Sequence, residues 1–245
     1  MSIPYLFIDP KQVYDKTIFI RDIDDVRHLS GPLRVRPGDR AYISDNKKSR
    51  YMAELTKINK IEAEFIILEK EPIRQKLPQI SLFQCVLKKN AMEYAIQKTT
   101  EIGVSAIIPV ISERTVNSTG DKSLKIKRWQ KISDEASKQS KRDFKCRIDK
   151  PVMLKDIDTG SFERFFMPYE CESAEGGLAL SFSGISRTGR IAYLIGPEGG
   201  FSPGEAELLK KNDADLLKLG DNILRAETAA VYFLSVIDFY IRANS

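Results

Sequence analysis

The stretch LIGPEGGFSPGEAELL, Leu194 to Leu209, runs from an apolar segment through a glycine-rich turn into a helical pattern. Gly196, Gly199 and Gly200 let a ligand approach the backbone closely. Ser202, Pro203 and Glu205 spell S-P-G-E, a capping box with proline at the first helical position, so the predicted helix begins directly after the glycines. Such a helix start attracts phosphate. Here Glu198 would face the anion and oppose it, and no lysine stands in the phosphate-loop position. A ligand with hydroxyls, an adenine edge and a positive centre satisfies both the carboxylate and the free amides, and S-adenosylmethionine is such a ligand. The plainer alternative is a strand-to-helix turn with no ligand.

A second stretch, LKLGDNILRAETAA at 217–230, has the same character: a buried strand, Gly220, an irregular segment, then Arg225 and Glu227 ahead of a helix. Two glycine-bearing loops after neighbouring strands would form two walls of one pocket. Read without a ligand, Arg225 and Glu227 are a surface ion pair, with Glu227 favoured at the helix N-terminus. The chain has one histidine, His28, and three widely spaced cysteines, Cys85, Cys146 and Cys171, with no C-x-x-C pair. Zinc ribbons, histidine-based metal sites, redox pairs and a Ser-His-Asp triad near the glycine loop therefore lack their residues, and the cysteines read as buried thiols. Chemistry here falls to carboxylates, arginines, backbone groups and a cofactor.

The elements that must hold these loops follow from periodicity. Residues 1 to about 70 carry short alternating runs at 16–20, 39–44, 50–58 and 63–70, a turn at Arg36 to Asp39, a basic hairpin tip in SDNKKSR and one short helix near DIDDVRHLSG, which together predict a small β-barrel. Glu71 to Pro78 reads as the linker. From Gln79 onward strands alternate with helices: ISLFQCVL, AMEYAIQKTTEIG, AIIPVIS, then the helix SLKIKRWQKISDEASKQSKR with Ser123 as N-cap, followed by ERFFMPYE, RIAYLIGPEGG and ADLLKLG. Alternation of this kind predicts an α/β domain with a mostly parallel sheet, helices on both faces and ligands at the carboxyl ends of the strands. The last helix, about Glu227 to Arg242, is apolar nearly all round, which calls for burial within the chain or an interface with a second copy.

Composition adds boundaries. Hydrophobic residues make up 42% of 245, enough for a sizeable core, and no run of 18 apolar residues or secretory leader pattern is present, so neither membrane insertion nor secretion is expected. Positive charge is concentrated before residue 151: residues 121–150 hold 11 basic against 5 acidic side chains, whereas 160–245 hold 8 against 12. One surface is therefore expected to meet a polyanion and another a small ligand.

Together these motifs resemble the RsmE family of small-subunit ribosomal RNA methyltransferases, which methylate N3 of a uridine. LIGPEGGFS and LGDNILRAETAA match its cofactor loops, HLSGPLRVRPGD at 28–39 its N-terminal motif, MEYAIQKTTEIGVSAIIPVISER at 92–114 its central one and RWQKISDEASKQSKR at 128–142 its RNA-side helix. Two places depart from the family pattern, Pro32 and KRDFKCRI at 141–148, both on the RNA side. The resemblance implies a PUA-like RNA-binding β-barrel over 1–72 and a SPOUT methyltransferase domain over 73–245 whose mostly parallel sheet ends in a trefoil knot, a feature that periodicity cannot reveal. It further implies S-adenosyl-L-methionine as cofactor, a homodimer built on the final helix, a cytoplasmic location, and 16S ribosomal RNA or the small subunit as partner, without metal or membrane. Carried onto this chain, the cofactor contacts are Met167, Leu194, Gly196, Pro197, Glu198, Gly199, Gly200, Leu219, Gly220, Ile223, Leu224 and Thr228. Arg225 is the expected stabiliser of charge on the uracil oxygens, and Glu227 either orients Arg225 or takes the N3 proton. His28, Arg34, Arg36, Arg40, Lys47, Lys48, Arg50, Lys138, Lys141 and Arg142, with Lys145 and Arg147 beside them, are the expected RNA contacts. Another SPOUT-type acceptor, such as a ribose 2′-oxygen or a different base nitrogen, and a non-catalytic RNA-binding or assembly factor are the competing readings.

Overall fold

Alternating side chains in the first seventy residues build one curled sheet around one interior. The computed structural model describes residues 3–75, 77–115, 122–170, 182, 185, 186 and 188–243; Cys171 lies outside them. The chain forms two units, Met1–Gln75 with Ser137–Lys145, and Lys76–Ala136 with Cys146–Ser245. In the first unit the strands are β1 (Tyr5–Phe7), β2 (Val13–Tyr14), β3 (Thr17–Ile20), β4 (Arg40–Ser44), β5 (Ser49–Ile58) and β6 (Ala63–Pro72), with helix α1 (Ile23–Ser30) between β3 and β4. Their order is β1-β4-β5-β6-β3-β2, and only the β1–β4 pair is parallel. Ile18 and Ile20, Ala41 and Ile43, Ala53 and Leu55, and Phe65 point inward at every second position, and Val26 and Leu29 of α1 complete the core.

Local chemistry sets the turns of this unit. Asp22 caps α1 by accepting from the Asp25 amide, and the Arg36 amide donates to Asp39 Oδ2 across the Pro-Gly turn. In the β4–β5 hairpin, Asp45 Oδ1 accepts from the amides of Lys47, Lys48 and Ser49, which leaves both lysines at the exposed tip. Strands β1 and β2 are too short to show an alternating pattern and were not expected. Strand β6 runs on to Pro72, so it takes the first two residues of the expected linker.

In the second unit the strands are β7 (Gln79–Cys85), β8 (Ala106–Ile111), β9 (Arg147–Ile148), β10 (Val152–Met153), β11 (Arg164–Pro168), β12 (Arg190–Ile195) and β13 (Asp215–Leu217). The helices are α2 (Lys89–Ile102), α3 (Lys122–Gln139), α4 (Pro203–Lys211) and α5 (Ala226–Ala243). The sheet order is β10-β8-β7-β12-β11-β13 with β9 on β8, and every pairing is parallel, as the strand and helix alternation predicts. One face, with Leu82, Phe166, Tyr193 and Ile195, packs against α2, α3 and α5; the other, with Phe83, Phe165, Met167 and Leu194, packs against α4. Ser123 is the second residue of α3 rather than its cap, because the helix already begins at Lys122. Farther along α3, Ser133 donates to the Cys146 carbonyl, Thr100 of α2 lies within hydrogen-bond distance of Ser133, and Gln130 bridges Cys146 and Ile148, a polar seam that holds β9 in place.

Phe233 of α5 is fully buried, with the rings of Phe166 and Tyr193 edge-on at 5.7 and 5.5 Å. Phe233→Ala is expected to destabilise the protein by about 3–5 kcal/mol through lost transfer energy and a residual cavity. In urea unfolding this appears as a lower midpoint at unchanged slope.

Candidate functional site

A cavity of about 1140 Å³ opens at the carboxyl ends of β7, β11, β12 and β13, where a parallel α/β sheet places its ligands. Its walls are the start of α2 from Lys88 to Ala91, Pro168 to Glu170 after β11, the loop after β12 with Ile195 to Glu198, Gly200 and Phe201, and Lys218 to Glu227 ahead of α5. The two glycine-bearing loops do share one cavity. Of the expected cofactor contacts, Gly196, Pro197, Glu198, Gly200, Leu219, Gly220, Ile223 and Leu224 line it, together with Arg225 and Glu227.

Four expected contacts are not among the lining residues. Met167 and Leu194 are wholly buried on the opposite face of the sheet from Phe166 and Ile195, because successive strand residues alternate sides. The Gly199 carbonyl is turned to the Arg114 guanidinium. Thr228 is exposed one residue past Glu227 on α5, on a helix face that misses the cavity.

The glycine loop has a defined shape. The Gly200 amide donates to the Pro197 carbonyl at 3.0 Å, and Gly200 has φ +67°, which a residue with a Cβ adopts at a cost. A Cβ at Gly196 would stand 3.0 Å from the Phe201 ring, so a larger residue there would push that ring back from the loop. Ser202 and Glu205 form the reciprocal capping box read from the sequence, with Pro203 in the first turn of α4. Glu198 Oε1 accepts the Lys88 amide at 3.0 Å, a bond between residues 110 apart that joins the glycine loop to the start of α2.

Arg225 is exposed, and its carbonyl accepts from the Ala229 amide at the opening of α5. Among the described residues neither Arg225 nor Glu227 forms an ion pair, so the surface-pair reading gives way and the guanidinium is free to meet a ligand. Cys85 and Cys146 are buried free thiols, as expected. Burial pushes the Cys85 thiol up to about 12, against a smaller lowering by Ser112, so it is no nucleophile near neutral pH. Among the described residues no cluster of His, Cys, Asp and Glu could hold a metal ion, and no helix is long and apolar enough to cross a membrane.

The lining suits S-adenosylmethionine. Ile195, Leu219 and Leu224 offer apolar surface to a flat base, Glu170 and Glu198 offer carboxylates to hydroxyls and a cation, and the side-chain-free glycines present backbone groups. The volume exceeds the roughly 300–1,000 Å³ of ordinary small-ligand sites, which leaves room for an acceptor base. Sequence reasoning missed Lys88 to Ala91 and Tyr169 to Glu170. The signal for both was available, since Lys88 directly follows one predicted strand and Tyr169 and Glu170 end another, at the same carboxyl edge of a parallel sheet.

In the first unit, Asp143 gathers the return segment Ser137–Lys145 onto the sheet. Its Oδ1 accepts from Tyr5 and from Arg50 at 3.0 Å, and its carbonyl accepts from Ser44 at 2.6 Å, while the Lys145 amide donates to Asn46 Oδ1. Lys141 and Arg142 are thereby carried beside the hairpin that bears Lys47 and Lys48. His28, Arg34, Arg36, Arg40, Lys47, Lys48 and Lys141 are exposed. Three of the expected RNA contacts also have partners within the unit: Arg50 pairs with Glu71 and Asp143 and covers the Tyr42 ring, Lys138 pairs with the buried Asp25, and Arg40 lies 3.9 Å from Glu54. In the second unit Arg147 pairs with Asp149.

The pattern of the RNA methyltransferase domain family matches residues 74–238, and that of the RNA methyltransferase PUA domain matches 20–68. The chain is 29% identical over 244 residues to the ribosomal RNA small subunit methyltransferase E of Bacillus subtilis, covering 96% of this chain and 95% of that protein. With the enzyme of the same name from Aquifex aeolicus it shares 31% over 190 residues, 76% of this chain and 80% of that one. The crystal structure of a ribosomal RNA small subunit methyltransferase E from Neisseria gonorrhoeae bound to S-adenosyl methionine superposes with a TM-score of 0.84 at 26% identity, over 98% of each chain.

Proposed function

The chain belongs to the RNA methyltransferase family, and on that premise we propose that it transfers a methyl group from S-adenosyl-L-methionine to N3 of a uridine in 16S ribosomal RNA. The observation that carries this reading is one cavity shared by two glycine-bearing loops, with the carboxylates of Glu170 and Glu198 on two of its walls and the guanidinium of Arg225, in no ion pair among the described residues, on a third. Gly196, Pro197, Glu198, Gly200, Leu219, Gly220, Ile223 and Leu224 would hold the cofactor, backed by Met167, Leu194 and Gly199. When bound, the cofactor supplies an electrophilic methyl on a sulfonium.

The chain's own residues must supply the rest. Uracil N3 carries a proton at neutral pH and lies on the Watson–Crick edge, so the base has to enter the cavity unpaired. As the proton leaves, negative charge spreads onto the two ring carbonyls, and Arg225 can meet it with a fork of fixed donors. Glu227, half-buried in the first turn of α5 and lining the same cavity, orients that guanidinium or accepts the proton.

Residues 1–72 would serve as the PUA-like RNA-binding domain and 73–245 as the SPOUT domain with its trefoil knot. The exposed Ile223, Tyr232 and Phe239, at 82, 41 and 72%, offer an apolar stripe on and before α5 for a homodimer. A ribosomal RNA substrate puts the site of action in the cytoplasm. Arg34, Arg36, Arg40, Lys47, Lys48 and Lys141 form the phosphate-binding surface. RNA affinity is expected to fall with added salt at a log–log slope of roughly −4, since six single-stranded phosphate contacts would each contribute about −0.7; a flat dependence removes these residues from the interface. The decisive experiment for the reaction is methylation of small subunits lacking the modification, followed by mapping of the product. 3-Methyluridine at one position supports the proposal, and a methylated ribose or a different base nitrogen replaces it.

A further inference from the structure

The glycine loop is held from behind by a turn that does not touch the cavity. Directly after β8, Ser112 to Thr115 closes on itself: the Ser112 amide donates to Thr115 Oγ1 at 2.9 Å, and the two hydroxyls lie 2.8 Å apart. This turn is fastened to the loop at two points. Arg114 Nη1 donates to the carbonyls of Gly199 at 3.0 Å and Phe201 at 3.3 Å, and Glu205, only 5% exposed, accepts the Glu113 amide at 2.8 Å while its other oxygen accepts the Ser202 amide at 2.9 Å. Neither Arg114 nor Glu205 lines the cavity. The stem of Arg114 also packs beneath Gly199, where an added Cβ would meet its Cβ and Cδ at 3.5 and 3.6 Å.

These contacts act on one consequence of glycine-rich sequence. A loop chosen for backbone freedom has many conformations to lose on binding, and each residue left unfixed adds an ordering cost to the ligand. The two peptide units in question are held from both sides: their carbonyls, at 199 and 201, accept from Arg114, and their amides, at 200 and 202, donate to the Pro197 carbonyl and to Glu205. A guanidinium that takes both carbonyls therefore fixes the loop before a ligand arrives, and hydrogen bonds to a charged donor are the stronger kind.

We propose that Arg114 is a positioning residue for the methyl donor: it holds the Gly199–Phe201 backbone in the cofactor-accepting shape, with the buried Glu205 locking the turn that presents it. This rests on the reading of the cavity as the S-adenosylmethionine site. The test compares Arg114→Met, which keeps the stem under Gly199 and removes the donors, with Arg114→Lys, which restores one donor group. The Met variant is expected to raise the S-adenosylmethionine Kd by calorimetry and its KM about 10-fold, with the KM for RNA unchanged, kcat within about twofold and the thermal midpoint close to that of the parent. The Lys variant is expected to recover to within about 3-fold. Parental cofactor affinity in Arg114→Met overturns the proposal, as does a raised KM for RNA with the cofactor KM unchanged, which makes Arg114 an RNA ligand. Failure of the parent protein itself to bind S-adenosylmethionine defeats the underlying reading of the cavity instead.

Discussion

Arg225→Ala is expected to lower kcat for uridine methylation by about 10²–10³-fold while leaving the S-adenosylmethionine Kd within about 3-fold. The asymmetry follows from when the guanidinium is needed. Neutral uracil already satisfies its carbonyl oxygens in water, and charge gathers on them only as the N3 proton departs, so the interaction strengthens along the reaction and its loss falls on kcat. The structure supplies the other requirement: the side chain lines the cavity and, among the described residues, is not neutralised by an ion pair. Arg225→Lys keeps the charge and loses the planar fork, and an intermediate rate is expected. An Arg225→Ala protein that methylates at the parental rate would remove this residue from the chemistry.

The second large effect is expected at Glu198. Its carboxylate lines the cavity while one oxygen accepts the Lys88 amide, so Glu198→Ala loses a charged hydrogen bond that ties two walls together as well as a negative group in the cavity proposed for the cationic cofactor. A hydrogen bond to a charged group contributes about 1.5–3 kcal/mol, which converts to roughly a 10- to 150-fold weaker S-adenosylmethionine Kd. Glu198→Gln separates the two contributions, because a side-chain amide oxygen still accepts the Lys88 N–H but carries no charge. Affinity recovered by Gln identifies the tie between the walls as the main role. Affinity as weak as in the Ala variant identifies the charge. An Ala variant with parental affinity contradicts both.

Glu198 stands out in the sequence because a carboxylate opposes a phosphate at a helix start, whereas Arg225 has a plain alternative use there, in a surface ion pair with Glu227. The internal use of Glu198 was not visible, since nothing local connects it to Lys88. Arg50 and Lys138 show the same limit from the other side. By type and neighbourhood they resemble Lys47 or Lys141, and only the fold brings Asp143, Glu71 and Asp25 against them.

The amino-acid sequence by itself determined whatever depends on residues within a few positions of one another. The capping box at Ser202, the turn at Arg36 to Asp39, the strand and helix periods that make a parallel α/β sheet, and the placing of two glycine loops at its carboxyl edge all follow from short-range sterics and the spacing of apolar residues. Tertiary structure decided which loops meet and which charges remain free. Met167 and Leu194 fell to the far side because strand alternation, once register is set, leaves no choice of face. The Arg114 strut, the Glu198 tie and the return of Ser137–Lys145 to the first unit join residues about 85 to 138 apart. Bonds of that range form only after burial of the two sheets' apolar faces has brought the partners together, so no local pattern in the chain announces them.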